Sequence, residues 1–467
     1  MSGILKPDGL RGIAMSELRC DLLLHLGRAV AQAIGRNADH QPVIYLCHDP
    51  RRSAEPLEAA LCAGICTGGG IAKCLGVLHP GAMALLMTAE DADCGIALSA
   101  DDAPYEINAV RLFAKGGLPM TRDRLDAIAS LMPASAALPA KSHRNCGTIT
   151  HEPDAAARWL RLAGMRLNVP QENPERRLRI AVDCAHGAAS PSAELFFRQL
   201  NAEVLMLHRT PDGMNINRGG VCHTDSLAEV VRAQYCDAGF AFDGSCGRVI
   251  AVDETGELID GSRQLAIFCQ AMLDDAQSPQ SAELLLSGAV TGDRTNLGFL
   301  RYAREHSIPL TQTQTAPRAV MEMMRERSAL IGFDGVGCIC FPDLPAPDGM
   351  MTAARLLRIM QRTGRTLSAL AEVMEPAPQV TVPVPIAPQW REIWRNDPEI
   401  YGYIKECRTA LGAKGRLMIR EHPREPLLTV TLEGSDFMRI NELALVLGEN
   451  ISLTAGGSSG ESPRALI

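Results

Sequence analysis

Four short loops, spread along the 467 residues, hold the side chains best suited to chemistry. The loops are residues 99–104 (SADDAP), 243–248 (DGSCGR), 332–338 (GFDGVGC) and 420–426 (REHPREP). Their carboxylates, thiols and cations are Asp101, Asp102, Asp243, Cys246, Arg248, Asp334, Cys338, Arg420, His422 and Arg424. Side chains of these types are sufficient for acid–base or nucleophilic catalysis, and arginine suits the binding of phosphate.

The segments between the loops alternate between short apolar runs of strand length and amphipathic stretches of helix length. The predicted strands are Val43–Cys47, Cys94–Leu98, Arg179–Asp183, Glu203–Leu207, Ala238–Phe242, Leu284–Val290, Ile339–Phe341, Arg416–Ile419 and Leu428–Leu432. The predicted helices are Ser16–Ile34, Pro56–Gly69, Ser226–Gln234, Gly261–Leu273, Pro317–Arg327 and Gly349–Gln361. Alternation of this kind predicts parallel or mixed sheets covered by helices, which is an α/β fold.

The chain is too long for one hydrophobic core, and its length predicts three or four domains. Breaks marked by proline and glycine fall near Thr148–Pro153, Gly256–Gly261 and Glu375–Pro385. The predicted domains, each with one of the four loops, are residues 1–152, 153–258, 259–375 and 376–450. The last of them resembles a smaller α+β unit. Residues 451–467, which end in GGSSGESPRALI, are predicted to form a flexible tail.

The composition argues against several classes of function. The 46 Lys and Arg against 54 Asp and Glu give a net charge of −8, and only 4% of residues are aromatic, so nucleic acid is not an expected partner. The longest apolar runs, such as Gly81–Thr88, are too short to span a bilayer, and the first residues lack the pattern of a signal peptide. The 15 cysteines do not have the spacing of a disulfide framework. These observations predict a cytoplasmic protein with free thiols and no membrane partner.

Several longer motifs resemble those of one family. LKPDGLRGIAMSEL is similar to the family's FGTDGIRGxAN…L, and CHDPRRSAEP is similar to its GRDTRxSG. The segments GVLHPGAMALL, VDCAHGAA, PDGMNIN and VIAVDETGELIDG continue the match in the same order, to about residue 450. The family is that of the phosphoglucosamine mutases, within the α-D-phosphohexomutase superfamily.

This resemblance implies an architecture of three similar α/β domains with mixed sheets and a smaller C-terminal domain around a central cleft. It also implies one task for each loop. The first has a serine that carries a phosphoryl group, and the second has three aspartates that hold Mg²⁺. The third binds the sugar hydroxyls, and the fourth binds the substrate phosphate. In such mutases, phosphate moves between the C6 and C1 oxygens through a bisphosphorylated intermediate. Pairing through the first domain implies a homodimer, or a heterodimer with a related mutase or pathway protein.

The first loop departs from the family's SASHNP. Asp101 stands where the phosphorylated serine is expected, and Asp102 stands at the place of the histidine. A carboxylate could accept a phosphoryl group as an acyl phosphate, or it could act as a fixed negative charge. We favour the fixed charge, so Asp101 is not expected to carry phosphate. Arg11, and Arg51 in HDPRR, stand where the family has arginines near the cleft, and Arg111 matches the basic residue that follows the family's serine loop.

The second loop departs from the family's DGDGDR, because it keeps Asp243 and Arg248 but loses two of the three carboxylates. Three carboxylates supply the oxygen ligands that suit Mg²⁺. The resemblance therefore implies a bound Mg²⁺, whereas the residues of this loop predict an incomplete site and no bound cofactor. Zinc, held by Cys246 with Asp243 and Asp101, stays open as an alternative with ligands from separate loops.

The third and fourth loops depart from GExSGH and RxSGTEP. Asp334 keeps a carboxylate in the sugar loop, whereas Cys338 stands where the family has histidine. Arg420, His422 and Arg424 keep positive charge in the phosphate loop, although its hydroxyl residues are lost. Binding of a phosphorylated ligand therefore stays open.

Because all four loops are altered together, the leading expectation is a protein that has lost phosphohexomutase activity. Such a pseudoenzyme would serve as a non-catalytic binding, assembly or regulatory protein. The alternative is an enzyme with different chemistry on a phosphorylated or sugar-like substrate in the same cleft.

Overall fold

The computed structural model describes residues 5–6, 9–36, 39–135, 140–168, 177–275, 279–422 and 425–457. The chain divides into a larger unit, Met1–Thr295 with His306–Val373, and a smaller unit, Asn296–Glu305 with Met374–Ile467. Among the described helices, none is long and apolar enough to cross a membrane.

The first domain of the larger unit is built on a mixed sheet that has seven strands in the described residues. They are β1 (Leu5–Lys6), β2 (Gly9–Ile13), β3 (Val43–His48), β4 (Ile71–Val77), β5 (Cys94–Leu98), β6 (Ile107–Ala114) and β7 (Ile149–His151). Their order is β1-β2-β6-β5-β3-β4-β7. The strands β5, β3, β4 and β7 pair in parallel, whereas β1, β2, β6 and β5 pair antiparallel.

Helices cover this sheet: α1 (Cys20–Gly35), α2 (Ala54–Thr67), α3 (Pro80–Ala89), α4 (Arg122–Ser135) and α5 (Ala155–Arg166). Helix α1 packs against α2 and α4, and α3 packs against α5. Glycine lets α1 and α2 come close, because a Cβ at Gly64 would lie 2.1 Å from the carbonyl oxygen of Leu24. The buried apolar side chains of α1, α2 and the sheet form one continuous core.

The second domain has a five-stranded sheet in the part of the chain that the structure describes. Its elements are β8 (Leu178–Asp183), α6 (Ala193–Gln199), β9 (Ala202–Leu207), α7 (Asp225–Ala233), β10 (Ala238–Phe242), β11 (Val249–Asp253) and β12 (Leu258–Ile259). The order is β12-β11-β10-β8-β9, with β10, β8 and β9 parallel. The stacked rings of Phe197 and Phe240 join α6 to the sheet.

The third domain has a smaller mixed sheet of order β14-β13-β15-β16. Its elements in the larger unit are α8 (Gly261–Leu273), α9 (Pro279–Ser287), β13 (Ala289–Gly292), β14 (Leu310–Thr313), α11 (Pro317–Arg327), β15 (Ile331–Phe333), β16 (Ile339–Cys340), α12 (Gly349–Thr363) and α13 (Leu367–Ala371). The Asp260 and Asp348 carboxylates cap α8 and α12 by accepting the backbone N–H groups of Arg263 and Met351.

The smaller unit has an antiparallel sheet of order β17-β19-β18, counted over its described residues. Its elements are α10 (Leu297–Glu305), β17 (Gln379–Pro385), α14 (Pro398–Leu411), β18 (Arg416–Glu421), β19 (Leu427–Glu433) and α15 (Phe437–Thr454). Val380, Val382 and Val384 alternate along β17 and point into a core that α14 and α15 share.

The predicted fold class is confirmed: three α/β domains with mixed sheets precede a smaller α+β domain. The predicted strand Leu284–Val290 is wrong in part, because α9 continues to Ser287 and β13 begins only at Ala289. Leu284 is buried while Leu286 is 83% exposed. The two side chains therefore lie on different faces, as residues two apart do in a helix but not in a strand. The last helix continues to Thr454, into the predicted tail, and residues 458–467 of that tail lie outside the described residues.

Candidate functional site

A cavity of about 470 Å³ opens in the larger unit, and loops of all three of its domains contribute to the wall. Its charged lining residues, among those that the structure describes, are Arg11, Arg111, Arg248, Arg294, Arg318, Asp101, Asp102 and Asp334. Five arginines against three aspartates leave a formal charge of +2, although the whole chain has a net charge of −8. The cavity therefore suits an anionic ligand.

Asp101 lies on the wall of this cavity in a left-handed backbone conformation, with φ of +54°. It follows β5, and the neighbouring strands β6 and β2 carry Arg111 and Arg11. One carboxylate oxygen, Oδ2, forms an ion pair with Arg111 and lies 3.9 Å from Arg11 Nη1. The sheet order β2-β6-β5 thus brings both predicted arginines to the predicted aspartate.

The charge state of Asp101 is set by two opposing effects. Burial would raise the pKa of this carboxyl, since its side chain is only 14% exposed. The guanidinium groups of Arg111 and Arg248, with the hydroxyl of Ser245, outweigh burial and hold the pKa well below its usual range. Asp101 is therefore ionised at neutral pH.

The second loop lies directly against the first. Ser245 Oγ lies 3.0 Å from Asp101 Oδ1 and 2.6 Å from Asp243 Oδ2, so one hydroxyl bridges two carboxyl groups. Burial, followed by the negative charge of Asp101, raises the pKa of Asp243. Arg248 extends from the same loop and donates from Nη1 to Asp102 Oδ2 over 2.7 Å.

Sequence reasoning missed Asn217, which joins the two loops. Its Nδ2 donates to the backbone oxygens of Asp101 and Ala103 at 2.9 and 2.8 Å, and its Oδ1 accepts the N–H of Gly244 at 2.8 Å. The motif PDGMNIN contains this residue, and its left-handed φ of +63° is one that asparagine tolerates. Ser245 and Arg294 were missed as well.

The third loop uses its carboxylate for its own folding. Asp334 Oδ1 accepts the backbone N–H groups of Val336, Gly337 and Cys338 at 2.8 to 2.9 Å, which fixes the turn beside the cavity. Cys338 also lines the cavity, and burial raises the pKa of its thiol well above the usual value. The loop therefore presents an apolar wall more than a set of hydroxyl-binding groups.

Cys246, which the sequence placed among the cleft residues, is completely buried and stands behind the cavity wall. Its N–H donates to Asp243 O, and its carbonyl accepts the N–H of Gly349 at the start of α12. Burial raises the pKa of this thiol also. Across the described ranges, no three His, Cys, Asp or Glu side chains form a group that could hold a metal ion, and this covers the zinc set Asp101, Asp243 and Cys246.

The fourth loop belongs to the smaller unit. Arg420 lies on β18, and His422 follows it with its carbonyl accepting a hydrogen bond of 2.9 Å from Arg391 Nη2. The ring nitrogen Nδ1 of His422 accepts the N–H of Glu425. Arg424 lies outside the described residues, so the predicted phosphate-binding set stays a prediction.

Family models match most of the larger unit. The models describe phosphoglucomutase/phosphomannomutase α/β/α domain I at residues 3–137, domain II at 158–256 and domain III at 260–377. The chain belongs to the phosphoglucomutase/phosphomannomutase family, as the resemblance implied. Magnesium is the ion expected of this family.

Among curated relatives, the phosphoglucosamine mutase of Clostridium perfringens (strain SM101 / Type A) is 35% identical over 447 residues, or 95% of this chain and 97% of that protein. A phosphoglucomutase/phosphomannomutase family protein from Burkholderia thailandensis has a similar structure, with a TM-score of 0.75 at 21% identity over 96% of this chain and 98% of that chain. The N-acetylphosphoglucosamine mutase of Aspergillus fumigatus, solved with GlcNAc-6P and magnesium, aligns with a TM-score of 0.55 at 15% identity over 80% of this chain and 92% of that one.

These relatives correct one prediction. A non-catalytic binding or regulatory protein was expected from the altered loops, but nearly the whole chain is similar to curated mutases, which point to an active mutase. The description as a pseudoenzyme is therefore wrong. The predicted dimer stays a prediction.

Proposed function

We propose that this chain is a phosphohexomutase that moves a phosphoryl group between two oxygens of a phosphorylated hexosamine. The observation that carries this proposal is the ionised Asp101 carboxylate, held by arginines on the wall of a positively charged cavity. A hexosamine phosphate carries about two negative charges on its phosphate near neutral pH, which the formal charge of +2 in the cavity would offset. The curated relatives that are 35% identical act on this class of substrate by name.

A mutase needs a group that accepts the phosphoryl, and Asp101 occupies the family's phosphoserine position. We propose that one of its carboxylate oxygens attacks phosphorus, while the bond between phosphorus and the sugar oxygen breaks. The products are an aspartyl phosphate and a sugar hydroxyl, which takes up one proton. The second sugar hydroxyl then attacks the phosphorus, loses its proton and regenerates the carboxylate. This replaces the earlier expectation of a fixed charge at Asp101.

We also propose that arginines neutralise the charge that Mg²⁺ neutralises elsewhere in the family. The donor set supports this, because loop 243–248 offers one carboxylate, and both of its oxygens already accept hydrogen bonds from Arg248 N and Ser245 Oγ. A hard cation needs more oxygen ligands than that. Arg111, Arg11 and Arg248 surround Asp101 instead and can neutralise three phosphate oxygens.

Trapping the phosphorylated enzyme tests the proposal. The protein is incubated with glucosamine 6-phosphate, and ³¹P NMR follows the appearance of the 1-phosphate. The peptide that contains Asp101 should gain one phosphoryl group that hydroxylamine removes. Asp101→Asn should lower the rate by about three orders of magnitude, as loss of a nucleophile does. Asp102→Asn, the matched neighbour, should change it less than about tenfold.

Asp101→Ser separates the two roles of this position. The serine variant should carry a phosphoryl group that is stable to hydroxylamine, because a phosphate ester replaces an acyl phosphate. Wild-type turnover without any phosphorylated peptide, or full activity in Asp101→Asn, would contradict the nucleophilic role. Absence of turnover in the wild type would contradict the mutase itself.

The pH dependence of Arg111→Gln gives a further prediction. In the wild type, arginines keep the pKa of Asp101 low, so no acidic limb from this group is expected in kcat/KM above about pH 4. Without Arg111, burial is less well offset and the pKa rises. The protonated carboxyl cannot attack, so the rate of the variant should fall as the pH decreases through the new pKa. A pH–rate profile that keeps its wild-type shape would contradict this role of Arg111.

A further inference from the structure

A second cavity, of about 550 Å³, lies in the larger unit away from the loop residues described above. Its wall combines the end of α5, helix α8, the segment after β16 and helix α12. The residues that give it its chemical character are Arg166, Phe268, Phe341, Arg355, Arg358 and Arg362. Its volume falls within the range of small-molecule sites, about 300–1,000 Å³.

Positive charge dominates this second cavity. Four arginines line it against two aspartates, Asp275 and Asp343, which leaves a formal charge of +2 among the described lining residues. Three of the arginines, Arg355, Arg358 and Arg362, repeat at intervals of three and four residues on one face of α12. Like charges at these spacings destabilise a helix, and an anion bound across them would remove that cost.

The arrangement of Arg355 shows how the cavity is built. Its guanidinium lies over the ring of Phe341 at 4.0 Å, and its Nη2 donates to Asp343 Oδ2 at 2.6 Å. Its Nε is buried without a hydrogen-bond partner among the described residues. Arg166 also reaches Asp343, since its Nη1 donates to the backbone oxygen at 3.2 Å. Asp343 thus holds the guanidinium groups of both arginines in place at the wall of the cavity.

Most of the remaining lining residues are apolar. The rings of Phe268 and Phe341 are buried and meet edge to face, with centroids 5.3 Å apart, while the half-buried Leu167, Met272 and Leu330 supply accessible apolar surface. A simple inorganic anion would leave this surface without a partner. A ligand that joins a negatively charged end to an apolar or aromatic body would use both parts of the wall.

We propose that this second cavity binds a nucleoside diphosphate. The two phosphates lie along the arginines of α12, which span about 10 Å at 1.5 Å per residue, and the base covers the apolar wall of Leu167, Met272 and Leu330. The site is separate from the mutase cavity, so ligand binding here does not depend on the proposed activity.

Isothermal titration calorimetry with ADP, adenosine and inorganic pyrophosphate tests this site. ADP should bind, while adenosine and pyrophosphate should each bind at least tenfold more weakly, since each has only one of the two parts. The double variant Arg358→Gln/Arg362→Gln should weaken ADP binding tenfold or more. The control Arg161→Gln/Arg198→Gln removes the same two charges from exposed positions on α5 and α6 and should leave the affinity unchanged.

Hydrogen exchange gives a second readout that does not need a variant. ADP should slow exchange in α8 and α12 of the wild-type protein, and Arg111→Gln, which changes the first cavity, should not alter that protection. Absence of ADP binding at millimolar concentration would overturn the proposal. So would an equal loss of affinity in the control double variant, or protection confined to residues around Asp101.

Discussion

Replacing Arg51 by methionine is expected to lower the free energy of unfolding by about 3–5 kcal/mol, the usual cost of removing one partner of a buried ion pair. The Arg51 side chain is completely buried and pairs with Asp49, which is buried to the same extent. Asp49 also accepts a hydrogen bond of 2.6 Å from Ser99 Oγ. Methionine fills the volume but leaves the Asp49 charge without its cation.

Equilibrium urea denaturation followed by circular dichroism measures this loss. Arg52→Met is the matched control, because Arg52 is exposed and a surface change of this kind costs about 0.5 kcal/mol or less. The double variant Asp49→Asn/Arg51→Met should recover part of the stability, since it removes the unpaired charge. An equal loss for Arg51→Met and Arg52→Met, or a double variant less stable than Arg51→Met, would contradict the buried pair as the cause.

The same arginine also links stability to the candidate site. Its Nη2 donates to the backbone oxygen of Ala103 at 2.6 Å, two residues after Asp101. The first loop is therefore held in place by the buried Arg51 guanidinium, which does not line the cavity. The sequence motif HDPRR predicted an arginine near the cleft but could not distinguish a buried anchor from a binding group, because both roles call for the same residue type.

Much of the fold could be predicted from the sequence because burial follows the periodicity of the elements. The predicted ranges Cys94–Leu98, Ala238–Phe242, Gly261–Leu273 and Pro317–Arg327 coincide with β5, β10, α8 and α11. In each case the short apolar run or amphipathic repeat begins directly after an aspartate or at a proline. Leu284–Val290 failed because a short apolar run fits the face of a helix as well as a strand.

The candidate site was predictable only in part. Asp101, Arg11 and Arg111 come together because neighbouring strands carry them, and motif positions were sufficient to identify them. Ser245 and Asn217 escaped because their roles depend on which backbone atoms face them after the loops of two domains meet. The residue type of Cys246 suggested a zinc ligand, but its side chain is completely buried behind the cavity wall.

The same reasoning overstated the loss of function. Each altered loop was judged against the family's residue types, and loss of serine or aspartate was equated with loss of activity. Contacts between loops can take the place of the lost family residues, and they are not visible in any single loop. Examples are the ion pair of Arg111 with Asp101 and the Ser245 hydroxyl, which lies between two carboxyl groups. Chemistry that is assembled from several domains cannot be judged loop by loop.

Replacing Asn217 by alanine is expected to lower kcat/KM about a hundredfold, because a displacement of the order of 1 Å in a catalytic group has an effect of this size. The side-chain amide of Asn217 joins the carbonyl oxygens of Asp101 and Ala103 to the N–H of Gly244. Alanine leaves all three backbone groups without these partners. It must also adopt a left-handed φ of +63°, at a cost of about 1 kcal/mol.

Asn215→Ala is the control for Asn217→Ala, since Asn215 also forms two side-chain hydrogen bonds in the same segment, to Asp212 N and Thr210 O, but none to the described residues of the site loops. Asn217→Gly removes the amide without the strain of the left-handed conformation, so it should recover stability in urea but not activity. Full recovery of kcat/KM in the glycine variant would show that strain, and not the three hydrogen bonds, displaces Asp101. If all three variants keep wild-type kcat/KM, Asn217 does not position the nucleophile, and the geometry of Asp101 must depend on its side-chain partners Arg111 and Ser245.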